Sequence, residues 1–315
     1  MTEASRDTDT GLFAPLLADG RPLLTLGSIG LFFAGGFAIF LAAAGQFLPH
    51  DVQFLGMSAR ELCSHDACRI VHFMIHDRVS FGGTLIGLSI LYLWLIHFPL
   101  REHQAWAWWT LLLSNVAGFA SFLTYLGFGY LDTWHGIATL FLLPCFAVGL
   151  ARSYCTLDRP RGIKNLVRAP IDVAARLRMR HGRRLLLCTA AAMLVAGLTI
   201  MIVGMTVVFV PQDLAYMDTT TTQLNALNPR LIPLIAHDRA GFGGGVFNIG
   251  FLIFACVWCA RPSRHLWQAL ALVGAIGFGC AIGIHPIVGY NNPVHLAPAC
   301  LAAVGYLAGI WLMRP

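Results

Sequence analysis

Charge is what this chain has least of. Asp, Glu, Lys and Arg make up 11% of its 315 residues, less than half the roughly 25% of a soluble domain, and this excludes an ordinary water-soluble globule. Several signatures of chemistry are missing too. There is no Walker A loop, no His-Glu-x-x-His and no Gly-x-Ser-x-Gly. Their absence removes phosphate-cradling, zinc-peptidase and nucleophile-elbow chemistries from consideration. A cleaved secretory leader is not expected, because the first apolar run begins near Leu23 and continues past Phe47, too long for such a segment.

What is present is apolar. Hydrophobic residues account for 57% of the chain and mean hydropathy is +0.69. Eight apolar segments run approximately 23–48, 70–98, 106–130, 134–152, 185–210, 231–259, 266–289 and 294–313, each near the ~20 residues that span a bilayer. Of the 21 basic residues, ten lie between Arg152 and Arg184, against only Asp158 and Asp172. Clustering of this kind marks a cytoplasmic membrane loop, and it excludes nucleic acid as the reason for the net charge of +6. Placing that loop inside puts both termini in the cytoplasm and makes 49–69 and 211–230 the long outer loops. The lipid bilayer, of a bacterial-type plasma membrane, is the expected surrounding.

Two halves are visible within this pattern. His76-Asp77-Arg78-Val79-Ser80-Phe81-Gly82-Gly83 returns as His237-Asp238-Arg239-Ala240-Gly241-Phe242-Gly243-Gly244. Upstream of each copy, Pro49-His50-Asp51 matches Pro211-Gln212-Asp213. Downstream, Gly129-Tyr130 precedes His135 as Gly289-Tyr290 precedes His295. Four spans per half is an even number, so the halves run parallel. The expected fold is therefore an all-α membrane protein, eight transmembrane helices arranged as two parallel four-helix repeats. The repeats cover 23–152 and 185–315, with a cytoplasmic tail at 1–22 and a basic loop at 153–184. His285 has no counterpart in the first half, where Tyr125 sits nearby.

Ionisable side chains inside apolar helices are costly and mark function. Four of the twelve histidines repeat: His76, His135, His237 and His295. Neutral imidazole binds haem iron, zinc or copper, and histidines on facing helices can hold a planar macrocycle. Four, seven and eleven residues after His76 come Ser80, Gly83 and Gly87; after His237 come Gly241, Gly244 and Asn248. Such a face either accepts a flat ligand or packs closely on another helix.

The acids and arginines admit several roles. Asp77, Arg78, Asp238 and Arg239 are candidates to pair with one another or with outer-loop residues. Alternatively, the arginines bind a ligand carboxylate and the aspartates orient a histidine. Asp51 and Asp213, each two residues after a proline, are read as helix caps. Cys63 and Cys68 flank Ser-His-Asp-Ala, where a disulfide or, with His65, a metal site is open.

Taken together, His76-Asp77-Arg78 with Gly83 and Gly87, His135, His237, His295, Cys63 and Cys68 resemble the haem A synthase family. The resemblance implies haem b as cofactor, held by His237 and His295; Arg78 and Arg239, read from the residues themselves, are the candidates to bind its propionate carboxylates. It implies His76 and His135 as catalytic residues beside a substrate haem O, or another small hydrophobic ligand, whose methyl group is oxidised towards a formyl. Asp77 and Asp238 would orient ligands, Cys63 and Cys68 would be bridged, and a redox partner would dock at the outer face. A small-molecule or ion transporter, and a scaffold of a respiratory complex, are the competing readings.

Overall fold

The computed structural model describes residues 18–64, 68–122, 133–167 and 177–315, with the side chains of 122 and 133–135 outside the description. Every regular element among them is helical. They are α1 (Arg21–Ala43), α2 (Pro49–Leu55), α3 (Ala59–Ser64), α4 (Cys68–His97), α5 (Ala105–Phe122) and α6 (Thr133–Tyr154). After a single 3-10 turn (Ile163–Leu166) follow α7 (Leu177–Met205), α8 (Pro211–Met217), α9 (Thr221–Leu227), α10 (Leu231–Cys259), α11 (Arg264–Val288) and α12 (Pro293–Leu312). Seven of these, α1, α4, α6, α7, α10, α11 and α12, are long and apolar enough to cross a membrane. The expected span at 106–130 is described as helix only to Phe122, and its remainder lies outside the described residues.

Two boundaries differ from expectation. α1 stops at Ala43, short of 48, because Gly45 turns the chain with φ of 66°. In the other direction, α7 starts at Leu177, inside the expected basic loop, so Arg178, Arg180, Arg183 and Arg184 ride on its first turns. Arg183 explains the extension. Its Nε and Nη2 donate to the carbonyls of Val257 and Trp258 (3.1 and 2.8 Å) at the end of α10, satisfying carbonyls that a helix terminus leaves open.

α4 and α10 form the centre. In each, 67% of the apolar window is buried, against 22–28% in the other five spans. α1 lies along α4 and α7 along α10. α11 packs on α4 while α5 packs on α10, and α6 and α12 close the outside against α1 and α7. Lipid tails are as apolar as leucine, so helices in a membrane associate through close approach at small residues. A Cβ added at Gly35 would stand 2.5 Å from the Gly82 carbonyl oxygen, and one at Gly197 2.2 Å from the Phe247 nitrogen. The outward faces carry large apolar side chains such as Phe33, Phe40, Leu140 and Leu301, as helices that meet lipid should.

The short helices α2 and α8 begin alike. Asp51 accepts from the Leu48 N–H (3.2 Å) and Asp213 from the Val210 N–H (2.8 Å), each three residues before it with a proline at the first helical position. The capping role read from the sequence is therefore present. Both carboxylates do more than cap.

Candidate metal centre

The two triplets survive burial by completing one another. Asp77 and Arg78 are not left to pair with each other within α4. Instead Arg78 Nε stands 3.3 Å from Asp238 of α10, and Arg239 Nε stands 3.5 Å from Asp77 of α4. Each guanidinium takes a second carboxylate from a capped short helix: Arg78 Nη2 to Asp51 and Arg239 Nη1 to Asp213, both 2.7 Å. Arg239 also donates to the Val208 carbonyl (2.8 Å). Val208 is β-branched yet has φ of 65°, a conformation such residues rarely take, and it turns this carbonyl into the site. Phe47 lies 5.0 Å under Arg78 and Phe73 4.8 Å under Arg239, so apolar rings cover both guanidinium faces. Both arginines are thus held by protein carboxylates.

Beside this lattice three histidines converge. His76 (α4), His285 (last turn of α11) and His295 (first turn of α12) each present a ring nitrogen, and these atoms lie within 4.8 Å of one another. The Nε2 atoms of His76 and His285 are 3.1 Å apart. Both residues are buried and His295 is half-buried. Asp77 accepts from His76 Nδ1 (3.1 Å). A carboxylate only accepts, so the proton sits on Nδ1 and the Nε2 lone pair is left for the cluster.

Local sequence sets each position. Asn292 caps α12, accepting from the N–H groups of Val294 and His295 (3.0 and 3.2 Å), and so fixes the turn that carries His295. Gly289, with φ of 78°, ends α11 just after His285. Tyr290 between them stacks on His295 (4.5 Å) and Tyr216 (4.4 Å) and donates to Asp213 (2.7 Å). Burial, reinforced by the adjacent Asp213 carboxylate, holds the Tyr290 phenol above its ordinary pKa, so it stays a neutral donor.

The structure brings His295 to His76, where the resemblance paired it with His237. His237 repeats the Asp contact, Nδ1 to Asp238 at 2.9 Å, but belongs to no metal-ligating cluster among the described residues. His135 lies outside the described side chains, as do Tyr125 and His65 outside the described residues. Cys63 and Cys68 form a disulfide joining α3 to the first residue of α4, two turns before His76.

The two small-residue faces separate in use. On α4 they serve close packing: a Cβ at Gly83 would meet Cys280 at 2.6 Å and one at Gly87 would meet Ile249 at 2.9 Å. On α10, Gly241, Gly244 and Asn248 line a cavity of about 210 Å³, while a Cβ at Gly244 would also meet Ser121 at 2.5 Å.

His285, which joins this cluster, is not singled out by the sequence repeat, because it has no counterpart in the first half. The signal available was its place next to Gly289-Tyr290, the pair that precedes His295. No protein-family model, no curated protein and no solved structure matches the chain.

Proposed function

We propose that this chain is a multi-pass membrane metalloprotein whose working centre is a transition-metal ion held by His76, His285 and His295. The observation that carries the reading is the convergence of three ring nitrogens from three helices within 4.8 Å. Ligand nitrogens at 2.0–2.1 Å from an ion in tetrahedral geometry stand about 3.3 Å apart, close to the 3.1 Å between the first two. Three imidazoles leave one position for water or substrate, the pattern of a catalytic site, and they suit copper, iron or zinc. Two carboxylates, Asp77 and Asp213, share the Arg239 guanidinium beside the cluster, which favours a cation there.

An oxidoreductase activity, as the haem A synthase resemblance implies, fits copper or iron in this position. A haem does not fit between His76 and His285. Axial nitrogens across a macrocycle stand roughly 4 Å apart, and these two are 3.1 Å apart.

Elemental analysis of the detergent-purified protein, with its optical and electron paramagnetic spectra, tests this. About one ion per chain is expected, falling below about 0.1 in His285→Ala and His76→Ala and unchanged in His237→Ala. A Soret band lost in His237→Ala would restore the haem reading. Full metal content in His285→Ala would overturn the proposed centre.

The same proposal includes the topology: eight spans in two parallel repeats, with 106–130 the span beyond the seven, and both termini and the basic loop cytoplasmic. Matched contacts support the duplication, since α1 on α4 is repeated by α7 on α10 and α11 on α4 by α5 on α10. Cys155 is exposed in the basic loop. A membrane-impermeant maleimide is expected to label it only after the cells are permeabilised. Labelling of intact cells, lost in Cys155→Ser, would reverse the orientation.

A further inference from the structure

The metal centre leaves unused the cavity of about 210 Å³ enclosed by α1, α4, α5, α6 and α10. Its walls are mostly apolar, Leu85, Phe119 and Leu142 among them, with Asn115 and Asn248 among the polar residues that line it. Volume comes first. At ~30 Å³ per water molecule the space would hold roughly seven waters, yet apolar voids stay dry and an empty one is a cost to the fold. An apolar occupant resolves that conflict, and inside membrane-crossing helices it arrives from the bilayer.

Hydrogen bonding then narrows the occupant. Ser114 Oγ donates to Asn248 Oδ1 (2.6 Å), so Tyr92 must donate its hydroxyl proton to Ser114 (2.7 Å). Asn248 Nδ2 is taken by the Ser114 carbonyl (2.8 Å). These groups satisfy one another. Asn115 is different. It lines the cavity, is 7% exposed, and its Nδ2 donates to the Leu111 carbonyl (2.8 Å). That bond fixes the amide orientation, and Oδ1 accepts from no described residue. That oxygen opens onto the cavity and is free to accept from whatever occupies it. The missing partner is a hydrogen-bond donor on an apolar body.

We infer that this cavity binds a membrane-soluble alcohol or phenol, its hydroxyl donating to Asn115 Oδ1 and its hydrocarbon lying against the α10 glycine face. The site stands apart from the histidine cluster and does not depend on the metal reading.

Photoaffinity labelling of the full-length protein in lipid nanodiscs tests it. The probes are a diazirine-bearing aliphatic alcohol of about ten carbons and its methyl ether, which keeps the shape and loses the donor. The alcohol is expected to label Leu85, Phe119 and their neighbours, about tenfold more than the ether. Asn115→Leu should remove that preference, and Ala138→Phe, which fills the cavity, should abolish labelling by both. Ala34→Leu serves where Ala138→Phe does not yield a monodisperse protein. Labelling confined to lipid-facing residues such as Phe33 and Leu140 would overturn the inference. Equal labelling by alcohol and ether, unchanged in Asn115→Leu, would do so as well.

Discussion

Replacing Arg239 with leucine should destabilise the protein by about 3–5 kcal/mol, measured by equilibrium unfolding in mixed micelles. Arg239 links three elements: Asp77 of α4 at 3.5 Å, Asp213 of α8 at 2.7 Å and the Val208 carbonyl at 2.8 Å. Removing the guanidinium leaves two buried carboxylates without their cation, and the penalty comes from those orphaned charges more than from the bond energies lost. This reasoning predicts a rescue. Adding Asp213→Asn to Arg239→Leu should recover part of the loss, since an amide in place of the carboxylate carries no charge to strand, although Tyr290 keeps its acceptor only if the amide oxygen faces it. Arg239→Lys should fall between, because one ammonium does not reproduce the fork that reaches all three acceptors. A loss below about 1 kcal/mol in Arg239→Leu would show the pair to be well hydrated and would remove the lattice from the account of how the triplets are buried.

The second large effect is expected at the α7–α10 seam. Gly197→Val places a branched side chain where even a Cβ would be 2.2 Å from the Phe247 nitrogen and 2.7 Å from the Gly243 carbonyl oxygen. Backbone atoms cannot step aside as a side-chain end can, so the helices must separate along the line that also includes Gly204, Gly243 and Gly250. A destabilisation of about 3 kcal/mol or more is expected, with loss of the monodisperse peak in size-exclusion chromatography. Gly279→Ala is the control. Nothing lies within 4 Å of a Cβ at Gly279, and alanine in a helix interior is worth up to about 1 kcal/mol over glycine, so that variant should be neutral or more stable. Equal behaviour of the two would mean that α7 and α10 are not in backbone contact.

Much of this architecture is legible in one dimension. Spans are long and almost uniformly apolar, and the requirement that every backbone group be satisfied inside lipid makes helix the only choice for them. The caps were legible for a local reason as well, since Asp51 and Asp213 act on N–H groups three residues away. Helix ends were less so. The start of α7 at Leu177 depends on Arg183 reaching the last carbonyls of α10, a partner more than seventy residues distant. The histidines divide the same way. His76 announced itself by repetition and burial in an apolar run, whereas His285 acquired meaning only from the chain that folds against it.

The sequence by itself determined that this is an all-helical, membrane-adapted chain with ionisable triplets set into two of its apolar runs, because composition, run length and recurrence are properties of the chain alone. Only the tertiary structure decided which triplet answers which. Asp77 is matched by Arg239 and Asp238 by Arg78, and His76 meets His285 and His295 from the far end of the chain. The physical reason is that a buried charge or a metal ligand is completed by whichever groups lie within about 4 Å in space, and separation along the sequence carries no information about that distance.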